Sequence, residues 1–272
     1  SPYQAGVELY GHRGHESDWE VLTLMLETLA VAGVNDVHLD LGHVTIFREL
    51  VRLAGLDRER EVLLFEALQR QALPEIRQYL TAWALPSSRA NLLLALAELN
   101  GGTEVLDEAE LRLADAGRSV GEALATLRRL VAALQQQWPE LPIHVDLAEL
   151  RGYHYHTGVV FAAYVPGQGQ AVAQGGRYDE IGQVFGRARP ATGFSTDLAT
   201  LLLLGSTSAA SGAGGIYAPA LTDTALDQQV VELRRQGERV IRALPGADVE
   251  PRDLGCDRIL IQEEGSWSIT PV

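Results

Sequence analysis

At 272 residues the chain has length for one large domain or two ordinary ones, and 46% apolar with 21% charged residues is the balance of a globular protein with a real core. With 22 basic against 36 acidic residues, a net charge of −14 and no lysine- or arginine-dense run, composition disfavours general binding to phosphate backbones. No run of about 18 uncharged apolar residues argues for a membrane span, the first residues carry no export-signal pattern, and the single cysteine, Cys256, excludes an internal disulfide. Cytoplasm is the expected location.

Tyr3 to Tyr10 alternates and predicts a strand with Gln4, Gly6 and Glu8 on one face. The sequence thus starts within an apparent element, which implies an N-terminal part beyond it. Ser17-Asp18-Trp19-Glu20 has the form of a capping box, with Ser17 as N-cap of a helix that runs to Ala32 and stops at Gly33. Val37 to Leu41 alternates again. From about Thr45 to Gln137 the period is helical, with breaks at Gly55-Leu56-Asp57, Leu73-Pro74, Leu85-Pro86-Ser87 and Asn100-Gly101-Gly102. Ser119 and Glu122 offer a second capping box, and Trp138-Pro139 ends the last helix. The leucine- and alanine-rich stripes of these helices read as core.

Strands return at Ile143 to Leu147, Gly158 to Val165 and Ala171 to Ala173, the last two joined by the hairpin Pro166 to Gln170. Gly205 to Gly215 reads as a linker. A short αβ tail follows, with a strand near Ile216, a helix from Thr222 to about Gly237, and strands near Val240, Ile259 and Ile269. The expected organisation is an α+β core over 1–204, a helical insertion at about 45–138, a linker at 205–215 and a tail at 216–272.

Several residues suggest chemistry. Arg151 has a planar fork suited to a carboxylate or phosphate, although most arginines are merely exposed. Tyr153 to His156 predicts a strand, with the two tyrosines on one face and His154 and His156 on the other. Two histidines without a third ligand make a weak metal site, so none is expected. Gly167-Gln168-Gly169 and Gly175-Gly176 fit no phosphate-loop spacing and read as turn glycines. Gln4 and Glu8 share a strand face, and a buried glutamate there would need a cation or strong donor.

In order, these pieces resemble the catalytic core of histidyl-tRNA synthetase over most of residues 1–204. Tyr3-Gln4-Ala5-Gly6-Val7-Glu8 resembles the second half of class II motif 2. Leu41-Gly42-His43-Val44 resembles the strand and turn before the helical insertion. Leu150-Arg151-Gly152-Tyr153-His154-Tyr155-His156-Thr157-Gly158 and Gly175-Gly176-Arg177-Tyr178-Asp179 resemble the two histidine-specific segments. The implied fold is a class II synthetase-like antiparallel sheet core. The implied histidine pocket has Gln4 and Glu8 on the amino group and ring, Arg151 on the carboxylate, and Tyr155 and Tyr178 as lining. His156 replaces a tyrosine and would make ring recognition pH-sensitive near neutrality.

The departures lie where ATP would bind. The synthetase's Gly-Leu-Glu-Arg run corresponds to Asp197-Leu198-Ala199-Thr200. Thr200 removes the phosphate-gripping arginine, Ala199 the glutamate, and Asp197 adds a negative charge. Together with His154, His156, the run at 186–190 and the Phe194 to Leu198 segment, this is similar to the regulatory subunits of ATP phosphoribosyltransferase, a synthetase paralogue family in the first step of histidine biosynthesis. That resemblance implies no catalysis by this chain and no cofactor. It implies a short-form catalytic subunit as partner, self-association, and histidine as a candidate ligand. The alternatives are a divergent histidine-activating enzyme and a free-standing histidine sensor.

Overall fold

The alternation at the start of the chain forms β1 (Gln4–Tyr10), with Val7 and Leu9 turned to the core and Gln4, Glu8 and Tyr10 outward. The structure is a computed structural model that describes residues 3–180, 186, 188–205, 214–247, 249–263 and 265–272. It divides into two compact units, Ser1–Gly205 and Ser206–Val272. Most of the expected linker, 206–213, lies outside the described residues.

The first unit is built on a seven-stranded sheet. After β1 come β2 (His38–His43), β3 (Asn100–Gly101), β4 (Ile143–Asp146), β5 (Val159–Tyr164), β6 (Ala173–Arg177) and β7 (Ala191–Asp197), in the spatial order β1-β7-β6-β5-β2-β4-β3. Neighbours are antiparallel except β2 and β4, which run parallel. A parallel pair needs a long crossover, and the helical insertion supplies it. β6 starts at Ala173 and takes in Gly175 and Gly176. Those glycines are therefore strand residues and not the expected turn.

α1 (His15–Val31) packs beneath the sheet through fully buried Val21, Leu22, Met25 and Leu29. Its N-cap is Gly14, not the expected Ser17. Ser17 lies in the first turn, where its hydroxyl donates to the Gly14 carbonyl at 2.8 Å and accepts from Arg177. A buried guanidinium thus takes the serine that local pattern assigns to capping.

The insertion contains α2 (Val44–Ala54), α3 (Arg58–Gln69), α4 (Leu73–Ala82), α5 (Ser87–Glu98), α6 (Val105–Arg112) and α7 (Arg118–Gln137). Asp57 caps α3 by accepting from the Arg60 N–H at 2.9 Å. The second expected capping box does not form. α7 starts two residues earlier with Gly117 as N-cap, and Glu122 pairs with Arg118 at 2.7 Å. Strand β3 inside the insertion was not apparent in the sequence, since two residues show no period.

The second unit is a four-stranded sheet, β8 (Gly215–Ala218), β9 (Val240–Arg242), β10 (Cys256–Glu263) and β11 (Ser266–Pro271), in the order β11-β10-β8-β9. α9 (Thr224–Arg235) is capped by Asp223 and joins Ile216, Ala218, Val240 and Leu260 in a small core through Leu226, Val230 and Leu233. Arg242 pairs with Asp227, and Arg258 pairs with Glu238 at 2.7 Å. Among the described residues, no helix is long and apolar enough to cross a membrane.

Candidate functional site

One row of cross-strand partners supplies Glu8, Gly193 and Val160 to the lining of a cleft, while His156 and Glu149 cover its Gly176 and Gly42. Glu8 of β1 faces Gly193 of β7, which faces Gly176 of β6, then Val160 of β5 and Gly42 of β2. Directly opposed residues share a sheet face, so this face presents three glycines where most sheets present side chains. The adjoining row holds Gly6, Ser195, Gln174, Ala162 and Asp40. The Glu8 carboxylate rests over Gly193 in the place a β-carbon would fill. The result is a cleft of about 250 Å³, below the roughly 300–1,000 Å³ of drug-sized ligand sites.

The segment 151–156 closes one side of the cleft. It is a tight turn and not the expected strand. Gly152 has φ of 65°, open to glycine at little cost, and its carbonyl accepts from the Tyr155 and His156 N–H groups at 2.7 and 2.8 Å. The expected strand alternation is therefore absent. Tyr153 turns into the insertion, 5.0 Å from Phe47 and 5.6 Å from Phe65 ring to ring, and donates its hydroxyl to Glu61. Burial, with that bond to Glu61, pushes its pKa up to about 12. His154 lies beside Tyr153 and Phe65. Among the described residues no three His, Cys, Asp or Glu side chains gather to hold a metal.

Tyr155 and His156 turn to the cleft. Tyr155 meets Tyr178 at 4.6 Å between ring centres, and Tyr178 is only 2% exposed with a hydroxyl that has no hydrogen-bond partner among the described residues. The His156 ring sits against Gly152 and Gly176, so close that a β-carbon at Gly176 would lie 2.9 Å from Nδ1. Burial moves the His156 pKa below the ordinary 6.5. Burial thus favours the neutral imidazole.

Five of the six expected pocket residues, Glu8, Arg151, Tyr155, His156 and Tyr178, line this cleft; Gln4 does not. Gln4 pairs with Asp197 two positions along β1 and is exposed beyond the cleft. Burial raises the Glu8 pKa. Arg151 is already engaged, with its N–H and guanidinium on the two carboxylate oxygens of Glu149 at 2.7 and 2.9 Å. Glu149, Gln174 and Ser195 also line the cleft and were not singled out in the sequence. The register of Gln174 and Ser195 with Gly6 was the missing signal, and it requires the strand pairing.

Arg177, inside the second histidine-like segment, faces away from the cleft. It meets Asp18 at 2.8 Å and Asp179 at 3.2 Å and donates to the carbonyls of His12 and Gly14. Arg48 of α2 is a further residue that sequence pattern did not single out. Its guanidinium donates to the carbonyls of Tyr153 and His156 at 2.8 and 2.7 Å and lies over the Tyr153 ring, pinning the turn. At the other end of β7, Asp197 caps α8 (Leu198–Leu204) by accepting from the Thr200 N–H at 2.8 Å and the Thr200 hydroxyl at 3.1 Å. Ala199 is exposed and apolar. The three positions expected to have lost ATP contacts thus form a helix start.

The fold defines a class II synthetase-like core. The family model described as histidyl-tRNA synthetase matches residues 1–201, and one described as the ATP phosphoribosyltransferase subunit HisZ C-terminal domain matches residues 213–270. The ATP phosphoribosyltransferase regulatory subunit of Thioalkalivibrio sulfidiphilus is 55% identical over 99% of this chain and 69% of its own length. That of Azotobacter vinelandii is 56% identical over 100% of this chain and 69% of its own. A Bacillus halodurans structure titled as an ATP phosphoribosyltransferase regulatory subunit/histidyl-tRNA synthetase superposes with TM-score 0.67 at 25% identity, covering 92% of this chain and 65% of that one. An ATP phosphoribosyl transferase (HisG:HisZ) complex from Thermotoga maritima superposes with TM-score 0.58 at 20% identity, over 72% of this chain and 66% of that one, and shows the fold alone. The chain belongs to the ATP phosphoribosyltransferase regulatory subunit family.

Proposed function

We propose that this chain serves as the non-catalytic regulatory subunit of ATP phosphoribosyltransferase, assembling in the cytoplasm with a short-form catalytic subunit for the first step of histidine biosynthesis. Family membership over both units supports it. The supporting observation within the fold is the Asp197–Thr200 helix cap, a carboxylate and a hydroxyl at the positions that the resemblance aligns with a synthetase's glycine and its phosphate-binding arginine. Losing one charge-assisted phosphate contact costs about 1.5–3 kcal/mol before any repulsion by the added carboxylate. The chain retains a small-molecule cleft without retaining the means to activate a carboxylate. A ligand there changes catalysis in the partner only by binding two states of the complex unequally.

Size-exclusion chromatography with light scattering tests the assignment. The full-length protein and its cognate catalytic subunit are expected to co-elute as one hetero-oligomer, with a changed catalytic rate on mixing. Separate elution with unchanged kinetics would overturn it in favour of a free-standing sensor. Histidine-dependent pyrophosphate–ATP exchange above background would favour the histidine-activating enzyme instead.

A further inference from the structure

None of the residues that line the cleft belongs to the helical insertion, yet the insertion holds the turn that closes it. At the first turn of α2, the Val44 N–H donates to the Gly158 carbonyl at 3.0 Å and the Thr45 hydroxyl to the Thr157 carbonyl at 3.1 Å. One turn on, Arg48 takes the carbonyls of Tyr153 and His156. These contacts fix the backbone. The remaining tie is a side chain. Tyr153, 8% exposed, packs its ring on Phe47 of α2 and Phe65 of α3, and its hydroxyl ends on the Glu61 carboxylate of α3. His154 also lies against Phe65, at 6.0 Å between ring centres. The other face of α3, with Arg58, Val62, Glu66 and Gln69, is exposed.

On the reading of this cleft as a ligand site, we propose that Glu61 is a positioning residue for it: by accepting from the Tyr153 hydroxyl, Glu61 anchors the 151–156 turn to α3, so that ligand binding and the ordering of α3 are coupled. Apolar burial is non-directional, so the ring contacts retain Tyr153 without fixing its tip. A hydrogen bond to a carboxylate supplies direction and strength. Tyr155 and His156, the cleft-lining side chains of the turn, follow Tyr153 by two and three residues. Without Glu61 the buried hydroxyl loses its acceptor, which is unfavourable. The turn relieves that by moving outward about Gly152, and it carries Tyr155 and His156 with it. Coupling is reciprocal. A ligand that holds Tyr155 and His156 in place holds Tyr153 on Glu61, and occupancy of the cleft is expressed at a helix whose far face meets solvent.

The test is calorimetric titration of the full-length protein with histidine, paired with hydrogen exchange of peptides covering residues 58–69 with and without histidine. The variants are Tyr153→Phe, Glu61→Ala and Glu61→Gln. Tyr153→Phe and Glu61→Ala are each expected to weaken histidine binding about tenfold, the size of one hydrogen bond to a charged acceptor. Glu61→Gln, whose amide oxygen still accepts, is expected to stay within about threefold of wild type. Histidine is expected to slow exchange in α3 of wild type, and Tyr153→Phe to abolish that protection. The wild-type exchange stands as a readout even where a variant folds poorly. Unchanged affinity in a folded Tyr153→Phe overturns the proposal. So does a Glu61→Gln that recovers none of the affinity lost in Glu61→Ala, or a wild-type α3 whose exchange ignores bound histidine. A wild type that binds no histidine fails at the reading of the cleft itself and overturns the proposal with it, while the co-elution experiment decides the subunit assignment separately.

Discussion

Replacing Arg177 with methionine is expected to destabilise the first unit severely while leaving the cleft lining in place. The Arg177 and Asp18 side chains are 9% and 4% exposed, and the guanidinium reaches Asp18 through two nitrogens at 2.8 and 3.2 Å. It also donates to Asp179, Ser17, and the carbonyls of His12 and Gly14. In the variant, Asp18 would keep the Thr192 hydroxyl at 2.6 Å and lose its charged partner. Removing one member of a buried ion pair costs about 3–5 kcal/mol, a fifth or more of the roughly 5–15 kcal/mol that holds a typical domain folded. Urea denaturation followed by the fluorescence of Trp19, whose ring lies 6.1 Å from that of Trp138, reports on this unit. A lower midpoint with an unchanged slope is expected. In a double-mutant cycle, Arg177→Met with Asp18→Asn is expected to cost less than the two single changes added together. A loss below about 1 kcal/mol, or strict additivity, would refute the structural role.

Arg48→Ala is expected to weaken binding of histidine through loss of the two carbonyl contacts that pin the 151–156 turn, by about 1.5–3 kcal/mol in calorimetry; partial rescue by Arg48→Lys distinguishes positioning from general damage. Glu8→Ala is expected to weaken the same binding by about 1–3 kcal/mol, whereas Gln4→Ala, outside the cleft, is expected to leave it unchanged; equal effects would contradict the observed lining. His43 has a buried, unpartnered Nδ1, and desolvation, followed by the Arg177 charge, lowers its pKa from 6.5 to about 4. The folded state thus disfavours the proton, so the stability is full above pH 6.5 and declines as pH falls toward 4. The decline is about 1–3 kcal/mol. Denaturation midpoints measured across that range should show the decline in wild type and a smaller one in His43→Gln.

Local pattern was sufficient where a local cause sets the structure. Alternation at 4–10 placed Glu8 on an outward face because side chains on a strand point to opposite sides in turn. Helical period and the Gly and Pro breaks located the insertion, and the order of short motifs carried the resemblance to the synthetase core. The identities of Asp197 and Thr200 suggested a lost phosphate grip only through the resemblance to the synthetase motif. What they do instead depends on β7 ending where α8 begins, so that one caps the other. The turn at 151–156 was illegible because its cause is remote. Arg48, 105 residues before Tyr153, holds the carbonyls that a strand would have paired with a neighbour. Pairing of strands distant in sequence likewise decides that Gly193, Gly176 and Gly42 fall in one row, that Gln174 and Ser195 join the cleft, and that Gln4 stays outside it. Arg177 and Tyr178 are adjacent in the chain, yet strand alternation sends the first to Asp18 beneath the sheet and the second to the cleft above it. The sequence supplied the inventory of charges, and the tertiary fold decided which of them a ligand can meet, because an ion pair between Arg151 and Glu149 is a matter of distance and burial that residue identity does not express.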